Sequence, residues 1–183
     1  MKNKIIDSEN LQSKINQIKK NNKKIVHCHG VFDLLHIGHI KHFKESKKYG
    51  DILVVTVTPD RFVDKGQGRP AFKQKTRVEA LEALKDIDYL AINTERSAKT
   101  AIRKLKPNFY CKGPDYKKFD NDITNKIRKE IKILKKFGGK FKVTEDQTFS
   151  SSKIINMLNK GNTLNDKFLL KINKKFSKNF VSE

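Results

Sequence analysis

Apolar positions along this chain follow two periods that alternate from end to end. Ile52-Leu53-Val54-Val55-Thr56-Val57-Thr58 is a continuous, mostly β-branched run, the pattern of a strand covered on both faces. Shorter runs at about 24–29, 88–93, 108–112 and 140–144 predict four more strands. Between them the apolar residues recur every three or four positions, which predicts helices. The sets are Leu11, Ile15 and Ile18; Ile37, Ile40 and Phe43; Val78, Leu81 and Leu84; Ile102 and Leu105; Ile123, Ile127, Ile131 and Leu134; and Ile154, Ile155 and Leu158. Gly50, Gly138-Gly139 and Gly161 stop three of these helices, Pro107 closes another, and Ser97 is placed to cap its start.

Strand and helix in strict alternation predict an α/β fold: a Rossmann-like, doubly wound, five-stranded parallel sheet with helices on both faces, plus N- and C-terminal helices. The expected division is an N-terminal helical extension at 1–22, one domain at 23–161, and a basic C-terminal helix or linker at 162–183. Such sheets bind ligands beyond the carboxyl ends of their strands. The polar segments Gly30–His39, Asp64–Arg69, Lys112–Tyr116 and Thr144–Ser152 each follow a strand, so all four are expected on one rim.

Charge changes this picture little. Over 183 residues the formal net charge is +21, yet only six of the 41 basic residues are arginine. Lysines spread through every element read as a solvated surface, and no recognition helix, zinc finger or aromatic RNA-binding signature accompanies them, so nucleic acid is not the expected partner. No run approaches the roughly 20 apolar residues of a membrane span, and no secretory leader pattern opens the chain. Cys28 and Cys111 sit in strand-like runs and read as buried free thiols. The expectation is a cytoplasmic protein.

Candidate chemistry concentrates in Gly30-Val31-Phe32-Asp33-Leu34-Leu35-His36-Ile37-Gly38-His39. All five histidines (His27, His29, His36, His39 and His42) lie between positions 27 and 42. His36 and His39 open a helix three residues apart, so both imidazoles can face one phosphate group, with the positive end of the helix behind them. Gly30 and Gly38 leave room for a nucleotide to approach the backbone. A zinc site from His27, Cys28, His29, His36 and His39 lacks the distant Cys-x-x-Cys or His pair that would complete it, so no metal ligands are expected. His27 and His29 belong to the strand in a supporting role, and His42 lies off the site on the helix. Lys65, Arg69 and Arg77 could reach over a triphosphate. Lys112-Gly113-Pro114-Asp115-Tyr116 could line a base or sugar pocket, and Ser150-Ser151-Ser152-Lys153 opens a helix with hydroxyls and free N–H groups suited to phosphate oxygens. The chemistry expected is nucleotidyl transfer by in-line attack without a covalent intermediate, carried by positioning and electrostatics.

Together these segments resemble the cytidylyltransferase-like nucleotidyltransferases, a group that includes glycerol-3-phosphate cytidylyltransferase and the nucleotidyltransferase half of bifunctional heptose-phosphate kinase/adenylyltransferases. The resemblance covers about 24–160. It implies phosphate binding and stabilisation by His36 and His39, assistance at the α-phosphate by Lys65, and phosphate contacts from Ser150, Ser151 and Ser152. It also implies Mg2+ arriving with the nucleoside triphosphate. Gly30, Val31, Phe32, Asp33, Gly38, Arg69, Arg77, Lys112, Gly113, Asp115 and Phe149 complete the expected nucleotide site. Where glycerol-phosphate cytidylyltransferases carry Arg-Thr-Glu-Gly-Ile-Ser, this chain has Glu145-Asp146-Gln147-Thr148-Phe149-Ser150. Its Lys-Gly-x-Asp-Tyr segment is more similar to the sugar-phosphate enzymes fused to a ribokinase-like kinase. The expected reaction moves CMP or AMP from CTP or ATP to a phosphorylated sugar or polyol. The alternatives are adenylation of an acid, or a non-catalytic nucleotide- or nucleic-acid-binding module. A homodimer is expected, with a ribokinase-like kinase as a further partner.

Overall fold

Five strands form one all-parallel sheet: β1 (Ile25–Gly30), β2 (Ile52–Val57), β3 (Tyr89–Ile92), β4 (Phe109–Lys112) and β5 (Lys140–Val143). Their spatial order is β3-β2-β1-β4-β5. This computed structural model describes residues 4–7, 10–64, 66, 68–116 and 126–145. Helices α1 (Leu11–Lys20), α2 (Ile37–Lys47), α3 (Gln74–Glu82), α4 (Lys99–Leu105) and α5 (Lys126–Lys136) connect the strands. The two helices expected after Phe149 lie outside the described residues.

Alternation along each strand sends successive side chains to opposite faces. Val26, Cys28, Leu53, Val55, Val57 and Cys111 meet Phe43 of α2 and Val78 and Leu81 of α3 on one face. Ile25, Val54 and Ala91 meet Leu11, Ile15 and Ile18 of α1 and Leu105 of α4 on the other. Tyr110 continues that second face toward Ala98, Ile102, Ile127 and Leu134. Both cysteines are buried and free, as expected. Their partners in the sheet are each other, Cys28 opposite Cys111.

Three local expectations are corrected. Ile40 does not face inward on α2: it is 41% exposed, and Gly38, His42, Phe43 and Ser46 are the buried residues. Gly38, His42 and Ser46 recur every four residues, and two of them are small, so the helix closes on the sheet along a stripe that is not apolar. Ser97 does not cap α4, whose N-cap residue is Ala98. The Ala98 N–H instead donates to Glu130 Oε1 of α5 at 2.7 Å, and Tyr110 Oη donates to Glu130 Oε2 at 2.8 Å. A carboxylate at a helix N-terminus is favoured by the helix dipole, here from 32 positions away. The N-terminal segment is also not helical throughout. Ile5 bridges Leu90 in parallel, with Ile6 N donating to Leu90 O and Leu90 N to Lys4 O, both at 2.8 Å, so the segment lies along the outer edge of β3.

Glu130 is 3% exposed, and removing its carboxylate strands two buried donors. Glu130→Ala is expected to lower unfolding stability by about 3 kcal/mol in urea titration. Glu130→Gln, which can still accept from one of them, is expected to lose less.

Candidate active site

The site begins where two strands part. β1 pairs with β2 as far as Gly30 opposite Val57, but with β4 only as far as Cys28 opposite Cys111. Chain order changes direction between β1 and β4, and beyond Cys28 a crevice opens between them, at the switch point where open α/β sheets bind ligands.

One wall of the crevice is the turn from Gly30 to His36. Phe32 takes a left-handed conformation (φ 51°), which folds its ring back over Gly30. A Cβ at Gly30 would lie 2.8 Å from Phe32 Cζ, so this glycine admits the phenyl ring, not the ligand expected there. The ring then packs on Phe43 (5.1 Å between centroids) and edge-on to His39 (5.4 Å). His36 is the N-cap residue of α2, with extended backbone. His39 N donates to His36 O at 2.9 Å, and the two imidazoles stack with centroids 3.9 Å apart and planes 20° apart. The structure therefore brings together the two histidines singled out in the sequence, at the first turn of a helix. Burial lowers the proton affinity of His36, opposed by the negative charge of Asp115. Asp115 is exposed in a short 3-10 turn, Pro114–Tyr116, after β4. Gly113 just before it borders open space.

Three charged side chains, each almost fully buried, hold this wall in place. Asp33 accepts from Ala71 N and Phe72 N, both at 2.9 Å, and pairs with Arg69 at 3.6 Å with both side chains almost fully buried. Arg77, expected over the triphosphate, is 1% exposed. Its guanidinium donates to Phe72 O and Thr58 O at 2.9 Å, to Asp60 Oδ1 at 2.6 Å, and to Val31 O. Asp33, Arg69 and Arg77 thus lash the loop after β2 to the turn after β1. Nothing in local sequence marks the carbonyls that Arg77 collects, so its clamping role was not legible there. Lys65, Phe149, Ser150, Ser151 and Ser152 lie outside the described residues.

Behind the turn, His27 Nε2 and His29 Nδ1 both contact Thr56 Oγ1, at 2.8 and 2.9 Å. His29 Nε2 lies 3.4 Å from Thr58 Oγ1, which donates to Gly30 O at 3.2 Å. One proton arrangement satisfies the whole chain. Thr58 accepts from His29 Nε2–H, Thr56 donates to His29 Nδ1, and His27 donates from Nε2 to Thr56. His29, which accepts at Nδ1 and donates from Nε2, is neutral in this arrangement. Burial, reinforced by the charge of Lys112, pushes His29 down to about 3, and burial with the charges of His29 and Lys112 pushes His27 well below its ordinary value. His42 is buried against Thr144 Oγ1 at 2.9 Å, and burial with Lys112 brings it down to about 4. Lys112 Nζ donates to His29 O at 2.8 Å where the β1–β4 ladder has ended. A groove of about 510 Å3, lined by Arg61, Asn93 and Thr94 among others, opens at the β2–β3 end of the rim. None of the expected site residues lines it.

With this geometry in view, comparison with known proteins is decisive. The family model described as cytidylyltransferase-like matches residues 27–157, which contain the crevice and both its walls. The chain belongs to the cytidylyltransferase-like family. Bifunctional protein HldE of Desulfatibacillum aliphaticivorans is 34% identical over 156 residues, 84% of this chain and 30% of that protein. The HldE of Geobacter metallireducens is 41% identical over 115 residues, 62% of this chain and 24% of that protein. The chain therefore spans less than a third of the length of these curated relatives. The lipopolysaccharide core biosynthesis protein of Thermoplasma volcanium superposes with a TM-score of 0.53 at 30% identity, over 70% of this chain and 99% of that one. Pantoate-beta-alanine ligase of Francisella tularensis has a TM-score of 0.55 at 16% identity, over 93% of this chain and 85% of that one, and so shares the fold of this cytidylyltransferase-like chain. No helix among the described residues is long and apolar enough to cross a membrane.

The neutral histidines predict a pH dependence of folding. His29 and His42 bind protons more weakly folded than unfolded, so the unfolded chain takes up protons as pH falls below about 6.5. Each is expected to cost up to about 1.4 kcal/mol of stability per pH unit, down to about pH 4 for His42 and about 3 for His29. Urea unfolding from pH 7 to pH 5 should show this slope, and His42→Gln should reduce it by about one proton.

Proposed function

We propose that this cytidylyltransferase-like chain transfers CMP or AMP from CTP or ATP to a phosphorylated sugar or polyol and releases pyrophosphate. The observation that carries the reading is the stacked His36–His39 pair at the N-terminus of α2, beside the crevice between β1 and β4. Two imidazoles and the positive end of a helix bring donors and favourable charge to one small volume. Charge that builds on phosphate oxygens as the α-phosphorus bond changes is stabilised there without any covalent step. The relatives, a bifunctional HldE and a lipopolysaccharide core biosynthesis protein, support a sugar phosphate as the acceptor class. Their greater length supports a second activity, a ribokinase-like kinase, as partner or neighbour.

In this reading His36 and His39 bind the nucleotide's phosphates. Gly113 and Asp115 border the base or sugar, and the Val31–Asp33 turn stays fixed because Asp33, Arg69 and Arg77 anchor it. Lys65 serves the α-phosphate, and Phe149, Ser150, Ser151 and Ser152 serve the nucleotide. Mg2+ is proposed to arrive on the triphosphate. Among the described residues no group of three His, Cys, Asp or Glu side chains is arranged to hold an ion, which suits a cation that keeps its waters and binds one or two carboxylates plus substrate phosphates. Asp115, whose charge reaches His36, is the carboxylate best placed to share it. When bound, the ion neutralises phosphate charge.

The test is pyrophosphate release measured for four nucleoside triphosphates against a panel of phosphorylated sugars and polyols. His36→Ala and His39→Ala are each expected to lower kcat/KM by at least about 100-fold, or about 2.7 kcal/mol, with far-UV circular dichroism unchanged. Near-normal release from either folded variant would sink the assignment.

A further inference from the structure

The histidine pair stands on the α2 side of the sheet, and the other lip of the same crevice carries a cation that pairs with no carboxylate among the described residues. β4 alternates, so Tyr110 and Lys112 leave its α4–α5 face and Cys111 its α2 face, in agreement with the clusters that bury Tyr110 and Cys111. Lys112 is 8% exposed. Its ammonium donates to the His29 carbonyl at 2.8 Å and lies 5.5 Å from the Tyr110 ring centre and 5.0 Å from that of Tyr116. Among the described residues the ion pairs are Lys47–Asp88, Arg69–Asp33, Arg77–Asp60 and Arg96–Asp64, so no carboxylate answers Lys112. Burial, reinforced by the charge of Lys112, drives His27, His29 and His42 toward their neutral forms, and no form of an imidazole near neutral pH offers the ammonium a counter-charge. An ammonium has three N–H donors, and a shielded charge with one carbonyl partner is costly until an anion completes it.

We infer that Lys112 holds the phosphate of the acceptor, across the crevice from the His36–His39 pair. This rests on the nucleotidyl-transfer reading proposed above. In-line displacement places the attacking and leaving oxygens on opposite sides of the phosphorus. With the histidines at the phosphates of the nucleotide, the leaving pyrophosphate belongs to the α2 side, and the attacking phosphate approaches from the lip where Lys112 stands. The group is suited to that task. A lysine presents a compact charge with donors that rotate to fit the ligand, and the two tyrosine rings restrict where the anion can sit. A ribose or a base would bring this ammonium no counter-charge, so the competing occupant is a phosphate of the nucleotide itself.

Lys112→Met removes the charge while keeping an unbranched side chain. With the acceptor and triphosphate pair that gives the fastest pyrophosphate release, the variant is expected to raise the acceptor KM at least tenfold and to change the triphosphate KM less than twofold. Its thermal midpoint is expected to change little, because loss of the donor to the His29 carbonyl offsets removal of the buried charge. Lys112→Arg, which keeps the charge, is expected to give an acceptor KM between those of the wild type and Lys112→Met. A triphosphate KM raised as much as the acceptor KM would assign Lys112 to the nucleotide and overturn the inference, as would an unchanged acceptor KM. A lower midpoint with both constants shifted together would reduce Lys112 to a clamp on His29 and overturn it too. If the wild-type protein releases pyrophosphate from no pairing, the transfer reading fails and this inference fails with it. Release by the wild type with an unaltered acceptor KM in Lys112→Met fails the inference alone.

Discussion

The rest of the molecule depends on where β1 loses its partner. A central strand of a parallel sheet is satisfied on both edges, and β1 keeps both edges only to Cys28. Past that point its β4 edge presents a carbonyl, His29 O, with no strand to receive it. In a buried position such a group needs a donor, and the ammonium of Lys112 supplies one. The crevice is thus not a hole left by packing. It is the gap that appears when β1 keeps its β2 partner further along than its β4 partner, and Lys112 answers the carbonyl left open there.

A gap alone would collapse, and what holds it open is charge placed in the interior. Asp33 and Arg77 each tie the turn after β1 to the loop after β2, through two backbone amides in one case and three backbone carbonyls in the other. Groups so thoroughly satisfied cost little to bury, and they fix backbone on both sides. The outcome is a rigid frame for the first turn of α2, where His36 and His39 stack. Preorganisation of that kind is what electrostatic catalysis requires, because donors already aimed need no rearrangement when charge develops. The Thr56-linked histidines act one layer deeper, where burial keeps them uncharged and the tautomer of each is dictated by the next.

What could be read from the sequence was whatever depended on period or on near neighbours. The five strands, their parallel order implied by alternation with helices, and the pairing of His36 with His39 all arise from residues a few positions apart. The misreadings have one cause. Ile40 looked internal because it kept step with Ile37 and Phe43, yet α2 docks along Gly38, His42 and Ser46, where size and not hydrophobicity decides the contact. Ser97 looked like a cap because it preceded a helix, yet the cap comes from Glu130 on another helix. Arg77 looked like a ligand residue because it was a cation near a glycine-rich loop, and only the tertiary fold reveals the carbonyls that enclose it. Contacts between positions far apart in the chain have no local signature, and much of the frame around this site is made of them.

Lysine shows the same distinction from the other direction. With 35 of them in the chain, the composition suggests a protein whose charge is broad and uninformative, and most of those among the described residues do stand in water, where an ammonium is solvated. Lys112 differs in none of its chemistry, only in its place: two residues after Tyr110 on a strand that ends beside the crevice. Burial turns a common residue into one with a requirement. The bulk charge of +21 can draw any polyanion toward the surface, but it cannot select among them. Selection needs a shielded charge that no neighbouring carboxylate answers, and among the described residues Lys112 is buried with no carboxylate paired to it, at the point where β1 and β4 separate.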